Sequence, residues 1–589
     1  MTHLPIDLNQ ARERGWDALD VVLVTGDGNV DHPAFPAALL GRWLEHHGYR
    51  VGLISRPDAR DPESIATLGL PRLFFGVTSG ALDSMVANYT ALKRRRSDDP
   101  FAPGGKAGGR PDRALIAYCN LIRQRFGKST LIVAGGIEAG LRRFAHYDFW
   151  SEKVRRPLLM DCGADVLVHG MGEGPLLQIA RNLEQGPSDR ESRIDSLRTI
   201  PGVVHRTPRS APPPSDGLEL PSSEQVAADP RTQAQAHQLA TSNAGRVLWQ
   251  DCGGMRVIHN PAWPTATSAE LDTIYSLPFT RDPHPSLHGL TVPALEQVRF
   301  SITSHRGCFG GCAFCAINAI QGHRVSSRSR ESILSEVERI VRHPQFRGTI
   351  NDLGGPTANF YAMGCTRDKP CDRRSCLWPE PCGKLRASNN DYIKLLRAAR
   401  KVPGVKHLFV TTGLRTDPAV LGPELIRELA AHHTSGLIKV APEHVSPCVL
   451  ELMHKPPIAG FERFLEMFRS FSREAGKKQY VIPYIMAAHP GSSIDQMIEV
   501  YHFLKRHNLR VEQCQIFTPT PGTDSTVMYA TGLNPATLEP VFVERDPKRK
   551  NRQKALILYH LPESRRLLGE ILKGAKPKQP ESKKPTRRR

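Results

Sequence analysis

The chain has 589 residues, of which 40% are hydrophobic and 23% charged, with a formal net charge of +20. That length is too great for one core and that composition is ordinary for a soluble globular protein, so two or three domains are expected. No apolar run approaches the ~18 residues of a membrane helix, and the start, Met1-Thr-His-Leu-Pro-Ile-Asp7, lacks the layout of a signal peptide; the expectation is a cytoplasmic protein with no membrane partner.

Residues 1–190 alternate strand and helix signals. Apolar runs at 20–25, 51–54, 73–77, 130–133 and 166–168 read as buried parallel strands, with helical stretches such as 35–47 and 113–125 between them. This is the pattern of a doubly wound, Rossmann-like α/β domain, whose ligands bind at the carboxyl ends of the strands. Gly135-Gly136 and Gly170-Met-Gly172-Glu-Gly174 fall at such ends but do not spell G-x-G-x-x-G, so tight turns are the simpler reading. From 191 to 290 the texture changes: Arg206-Thr-Pro-Arg-Ser-Ala-Pro-Pro-Pro214 and the proline-rich segment from Asn260 read as a linker region.

From 291 to 530 the alternation resumes. Strand signals at 298–302, 348–353, 407–412, 436–440, 479–485 and 511–517 give six β/α units, with Ile333, Leu334, Val337, Ile340 and Val341 marking one stripe of the first helix. In parallel barrels the chemistry sits on loops after the strands. The loop after the first strand reads Ser304-His-Arg-Gly-Cys308-Phe-Gly-Gly-Cys312-Ala-Phe-Cys315. Three thiolates in eight residues, loosened by glycine, can point at one small object, and thiolate is the usual ligand of iron–sulfur clusters. A [4Fe-4S] cube held by three cysteines leaves one iron without a protein ligand, the open shell of a reactive site. The alternative is a closed zinc site completed by His305 or His323.

Seven of the twelve cysteines lie between 308 and 382, which favours metal or catalytic use over disulfides. A second group, Cys365, Cys371, Cys376 and Cys382, has spacings that fit no familiar cluster motif; an auxiliary iron–sulfur cluster, a structural zinc or free thiols all remain open. Lys369, Arg373 and Arg374 lie among them. Residues 531–589 read as helical, then basic and disordered. From Asp546 onward there are fifteen Lys/Arg against four Asp/Glu, a net +11. Such a tail can bind nucleic acid through phosphates, but no aromatic residues interleave the charges for base stacking, so a solvated tail is favoured.

Cys308, Cys312 and Cys315, with Phe314 before the third, resemble the signature loop of radical S-adenosylmethionine enzymes. Together with Val21-Val-Leu-Val-Thr-Gly-Asp27, Gly354-Gly-Pro-Thr-Ala-Asn359, Ala441-Pro-Glu-His444 and Phe517-Thr-Pro-Thr-Pro521, the chain resembles the YgiQ-type radical SAM family over almost its full length. The resemblance implies a partial (β/α)6 barrel, a [4Fe-4S] cluster on the three cysteines, S-adenosylmethionine as co-substrate and an electron donor such as a flavodoxin or ferredoxin. It implies that Gly354, Gly355 and Pro356 contact the methionine amino group, that Phe314 shields the adenine, and that Lys455 lies near the carboxylate. Glu443 and His444, after the fourth strand, are candidates without an assigned role. Many such enzymes carry a cobalamin domain at the N-terminus, but its Asp-x-His-x-x-Gly loop is not matched by Asp31-His32-Pro-Ala-Phe35, so cobalamin is not expected. The function expected is reductive cleavage of S-adenosylmethionine to a 5′-deoxyadenosyl radical acting on an undefined substrate. The alternatives are a methylthiotransferase on RNA or protein, and a non-enzymatic iron–sulfur or RNA-binding protein.

Overall fold

Five consecutive parallel strands form the N-terminal half of the chain, and their sequences explain why. β1 (Val21–Thr25) is buried along its whole length. Val21 and Leu23 enter one core with Trp43 and Leu177, while Val22 and Val24 enter a second with Leu115, Tyr118 and Ile122. A strand apolar on both faces is stable only with helices on both sides. α1 (Pro36–His46), α2 (Ala114–Phe126) and α3 (Glu173–Gln185) are among those that supply the cover. Each side chain fully buried this way contributes about 1.5–3 kcal/mol.

The computed structural model describes residues 3–367, 371 and 373–574. The basic stretch from 575 onward, where the nucleic-acid expectation rests, and Lys369 lie outside the described residues.

β2 (Val51–Ser55), β3 (Phe74–Thr78), β4 (Ile132–Gly135) and β5 (Val166–Val168) join β1 in the order β2-β1-β3-β4-β5, every pair parallel. The sheet does not stop there. β6 (Val203–Pro208), β7 (Leu218–Leu220), β8 (Leu248–Cys252) and β9 (Met255–His259) extend it to nine strands, in the order β5-β6-β9-β8-β7. β5-β6, β6-β9 and β9-β8 are antiparallel. This corrects the reading of 191–290 as linker. The prolines 212–214 occupy the connection between β6 and β7, so they punctuate strands instead of replacing them.

The second half begins with α4 (Pro293–Val298), where Pro293 fits the first helical turn. The first barrel strand, β10 (Ser301–Thr303), therefore starts later than expected. The second strand is split into β11 (Thr349–Ile350) and β12 (Asp352–Gly354), followed by β13 (His407–Leu408), β14 (Leu437–Glu443), β15 (Tyr480–Ala487) and β16 (Gln515–Ile516). β10 pairs with β12, β11 with β13, β14 with β15 and β15 with β16, all parallel. A parallel bridge between Leu414 and Val440 joins the third strand to the fourth. This is the open six-unit wall expected. Between the first two units lie α5 (Ile317–Gln321) and α6 (Arg330–Val341). Ser329 caps α6 by accepting the Ser332 N–H at 3.1 Å, and Ile333, Val337 and Ile340 face the barrel core.

α7 (Ala459–Glu474) buries Phe461, Phe464 and Phe468 on the same core. In the C-terminal region, α8 (Pro547–Ile557) and α9 (Arg565–Gly574) put Leu556, Ile557, Leu568 and Ile571 into the barrel core. No helix among the described residues is long and apolar enough to cross a membrane.

Candidate active site

The three-cysteine loop is fixed at its entrance before any cysteine appears. Arg306 is buried and donates from Nη1 to Glu173 Oε1 at 2.6 Å, and from Nε to Tyr275 Oη at 3.1 Å. Burial opposes its charge, but Glu173 and Tyr275 more than offset this and hold its pKa above the ordinary value. Glu173 opens α3 from within the Gly170–Gly174 cluster, so that glycine-rich turn ties the N-terminal domain to the loop. Gly307 follows with φ +80°, and a Cβ there would lie 1.9 Å from the Arg324 carbonyl oxygen. Only glycine fits. Gly307→Ala is expected to add about 1–3 kcal/mol of backbone strain besides that overlap, and to be read as iron lost from the reconstituted protein.

Cys308 is buried, while Cys312 and Cys315 are half-buried. Burial pushes the Cys308 thiol up, and the neighbouring charge of Cys312 adds to it. Burial, then Cys312, push Cys315 up to about 12. Three thiols that repel one another when ionised, in a desolvated loop, are a donor set that a cationic metal core relieves. The residues therefore fit a [4Fe-4S] cluster. No three His, Cys, Asp or Glu side chains among the described residues are grouped to hold a single metal ion. His305 sits against the second glycine turn, its Nδ1 2.9 Å from Ser304 Oγ, and burial lowers its pKa to about 4. His323 is exposed at a cavity rim.

One residue at this loop was not foreseen. Arg415 Nη1 donates to Cys312 Sγ at 3.0 Å, while its Nε and Nη2 form a two-pronged pair with Asp417 at 2.9 and 3.0 Å. Burial works against the guanidinium, yet Cys312 and Asp417 hold its pKa above the ordinary value. A lone arginine seven residues past β13 carries little signal, although the Arg-x-Asp spacing after a barrel strand is a usable one.

Glu443 ends β14 with φ +68°, a left-handed conformation rare outside glycine. Burial raises its pKa, against the pull of Lys455 and Arg415. Its charge also reaches Cys315. Strain of this kind concentrates at functional sites. Lys455 is buried, not solvated, and donates to the Ala441 carbonyl at 2.6 Å. His444 does not join them. Its Nδ1 accepts the Ser446 N–H at 3.0 Å, its Nε2 lies 3.3 Å from Ser492 Oγ, and burial lowers its pKa to about 3. Phe314 packs with Tyr147, Val449, Met453, Phe517 and Tyr529, and meets His489 edge to face.

Two cavities meet around α5. The first, about 500 Å³, lies where the carboxyl ends of the two parallel sheets face each other. Thr78, Gly136 and Gly170 line it from the N-terminal domain; Thr303, His305, Gly354, Gly355, Pro356 and Thr412 line it from the barrel. The glycine clusters expected to be plain turns thus form a wall of this cavity. The β1 end is occupied by Arg110, which is fully buried and donates to Asp27 at 3.0 Å. The second cavity, about 440 Å³, is lined by Cys312, Cys315, Arg374, His237 and Asp524. Asp524 is gripped by His237 at 2.6 Å and Arg374 at 2.9 Å. Burial opposes its charge, but these partners hold the carboxyl well below the usual range. Three residues drawn from positions 237, 374 and 524 have no common signature in the sequence.

The chain matches the family described as Radical SAM N-terminal over residues 3–301 and the Radical SAM superfamily over 302–504; a domain of unknown function (DUF3362) matches 512–576. A UPF0313 protein of Geobacter sulfurreducens is 50% identical over 97% of this chain and 95% of its own length. One from Methanocella arvoryzae is 45% identical, over 96% and 94%. Among solved structures, the radical S-adenosylmethionine methyltransferase TsrM from Kitasatospora setae, with cobalamin and a [4Fe-4S] cluster bound, aligns with a TM-score of 0.51 at 16% identity. That alignment covers 87% of this chain and 78% of TsrM, a likeness of fold. The non-enzymatic reading gives way to these matches. With its barrel, its three-cysteine loop and relatives of matching length, the chain belongs to the UPF0313 family within the radical SAM superfamily, enzymes that use a [4Fe-4S] cluster and S-adenosylmethionine.

Proposed function

We propose that Cys308, Cys312 and Cys315 hold a [4Fe-4S] cluster against which this enzyme cleaves S-adenosylmethionine, directing the resulting radical at a substrate in the cavity between its two domains. The observation that carries this reading is the three-cysteine loop, with Cys308 buried and Cys312 and Cys315 half-buried, at the carboxyl-end mouth of the barrel, beside a cavity walled by Gly354, Gly355 and Pro356. Cys308, Cys312 and Cys315 would hold the cluster, which when bound would supply a single electron for reductive cleavage of the sulfonium, the chemistry that yields methionine and a radical able to take a hydrogen atom from a substrate.

The chain's own residues bind and orient. The backbone of Gly354–Pro356, at the cavity wall, receives the amino-acid end of the co-substrate. Lys455 and Arg415 supply positive charge near its carboxylate, and Glu443 negative charge near its ammonium group. Phe314, locked in its aromatic cluster, keeps water from the far side of the loop. His32, the histidine nearest in sequence to a cobalt-binding loop, has Nδ1 accepting the Ala34 N–H at 3.0 Å and Nε2 3.3 Å from the Arg299 carbonyl oxygen. The electron comes from a flavodoxin or ferredoxin in the cytoplasm.

The test is anaerobic reconstitution followed by reduction with S-adenosylmethionine present. 5′-Deoxyadenosine should form in step with methionine. Its absence from a fully loaded enzyme would sink the reading, and sulfur incorporated into RNA would point to the methylthiotransferase alternative. Gly355→Ala sharpens the test, because a Cβ there would come within 2.5 Å of the His305 ring. The variant should keep its iron while its KM for S-adenosylmethionine rises by about tenfold, a loss of about 1.4 kcal/mol.

A further inference from the structure

We infer that the second cavity, beside Cys312 and Cys315, binds a small organic anion whose charged end pairs with Arg143 and whose body is apolar. The cleavage reading above makes that molecule the substrate; the binding site itself stands on the cavity.

Arg143 is a cation whose counter-charge the protein does not supply. Its neighbour Arg142 pairs with Asp83, while Arg306 and Arg374, which line this cavity with it, pair with Glu173 and Asp524. Among the described residues no carboxylate pairs with Arg143. Its Nη1 donates to the Gly140 carbonyl at 2.6 Å, and its Cζ lies 4.8 Å from the centre of the Phe144 ring. These contacts answer one of the guanidinium's donors and leave its charge uncancelled. Burial lowers its pKa to about 10, and no acidic group opposes the shift. A desolvated charge is costly unless something pairs with it, and the partner left to Arg143 is whatever enters the cavity.

The guanidinium is held in place before any ligand arrives. Phe144 stacks on His259 with ring centres 4.0 Å apart, and Ala145 N–H donates to Gln250 Oε1 at 2.8 Å. Both partners lie on the N-terminal sheet, in β9 and β8. A group fixed in its bound position loses little freedom on binding. Two buried histidines, His146 and His169, line the same cavity. His169 Nε2 donates to the Asn260 carbonyl at 3.0 Å, and burial, then Arg143, lower its pKa to about 3. Its ring is therefore neutral. His146 Nδ1 lies 2.9 Å from the Phe144 carbonyl oxygen, and its Nε2 is buried without a hydrogen-bond partner.

Asp524 is the one carboxylate among the described lining residues, and His237 and Arg374 offset its charge. An entering anion therefore meets Arg143 without opposition. Much of the remaining wall is apolar, with Ala236, Ala262, Trp263, Ile320 and Val527 among its members. A volume of about 440 Å³ suits a metabolite-sized molecule. Gly170, Met171 and Ile320 border both cavities, so a molecule held by Arg143 lies between the thiol loop and the first cavity.

The test is calorimetric titration of the anaerobically reconstituted enzyme with hexyl phosphate, hexanoate and hexanol, which share one apolar body. At least one of the anions should bind about tenfold more tightly than hexanol, the usual effect of a hydrogen bond to a charged group. Whichever anion binds more tightly names the head group as phosphate or carboxylate. Arg143→Met should weaken that anion about tenfold and leave hexanol as it was, while Arg143→Lys should keep part of the affinity. An enzyme that binds neither anion, binds hexanol as tightly, or is unaffected by Arg143→Met overturns the inference. Should Arg143→Met fail to fold, Ala236→Phe fills the cavity from the helix Pro230–Ser242, and undiminished anion binding by that variant would overturn it. Binding is read without reductant or S-adenosylmethionine, so it can fail while cleavage stands, and the reverse.

Discussion

Cys312→Ala is expected to abolish 5′-deoxyadenosine formation and to lower the iron content by about four per chain. A three-ligand cluster cannot lose a corner and keep its grip, and the side chains around it offer no substitute. His305 faces the Gly355 turn, and His323 is exposed at the rim of the second cavity. The effect should be confined to the site. Cys312 is half-buried and only Arg415 donates to its sulfur among the described hydrogen bonds, so alanine leaves no large void and Asp417 still pairs the guanidinium. Thermal unfolding of the metal-free chains should agree within about 1 kcal/mol. A purified variant that retained its iron and cleaved the sulfonium at an undiminished rate would contradict the assignment of this ligand.

Arg415→Met is expected to fail differently, by destabilising the barrel as well as the chemistry. The guanidinium and the Asp417 carboxylate are both nearly inaccessible to solvent, at 5% and 6% side-chain exposure. Removing one member of a buried pair strands the other charge, at about 3–5 kcal/mol. Replacing both, as Arg415→Met with Asp417→Leu, should recover most of that stability, because an apolar pair of similar volume needs no desolvation. It should not recover activity, since the donor to Cys312 Sγ is gone. Urea unfolding of the two variants beside wild type, with deoxyadenosine yield measured on each, separates the structural contribution from the chemical one. Equal stability of single and double variants would mean that the pair contributes nothing to the fold.

The strands of the N-terminal half were legible because parallel strands buried on both faces are written as short apolar runs, and Val21–Val24 needs no context to be recognised. In the barrel, Leu437–Val440 shows instead as an alternation, with Ile438 and Val440 buried and Leu437 and Lys439 exposed. The four added strands β6–β9 were not legible for a related reason. Strands such as Val203-Val-His-Arg-Thr-Pro208 and Leu248-Trp-Gln-Asp-Cys252 mix polar residues into their runs, and the prolines between them dominated the reading. In α9 the leucines and isoleucine at 567, 568, 571 and 572 have helical spacing, which agrees with the helical reading of the stretch before the basic tail. The three cysteines were legible because their spacing is local. Arg415, Asp524 and His237 were not, because only the closed barrel brings them beside the loop.

The helices at the chain's end have a consequence for how the enzyme is made. Leu568 and Ile571 complete the barrel core, so a nascent chain has exposed the three-cysteine loop to solvent long before the wall can seal. The N-terminal sheet is complete in sequence by His259, so its strands can pair while the ribosome is still translating the rest. Assembly machinery that delivers iron and sulfide thus has an interval of open access to the three-cysteine loop, which ends when α8 and α9 dock.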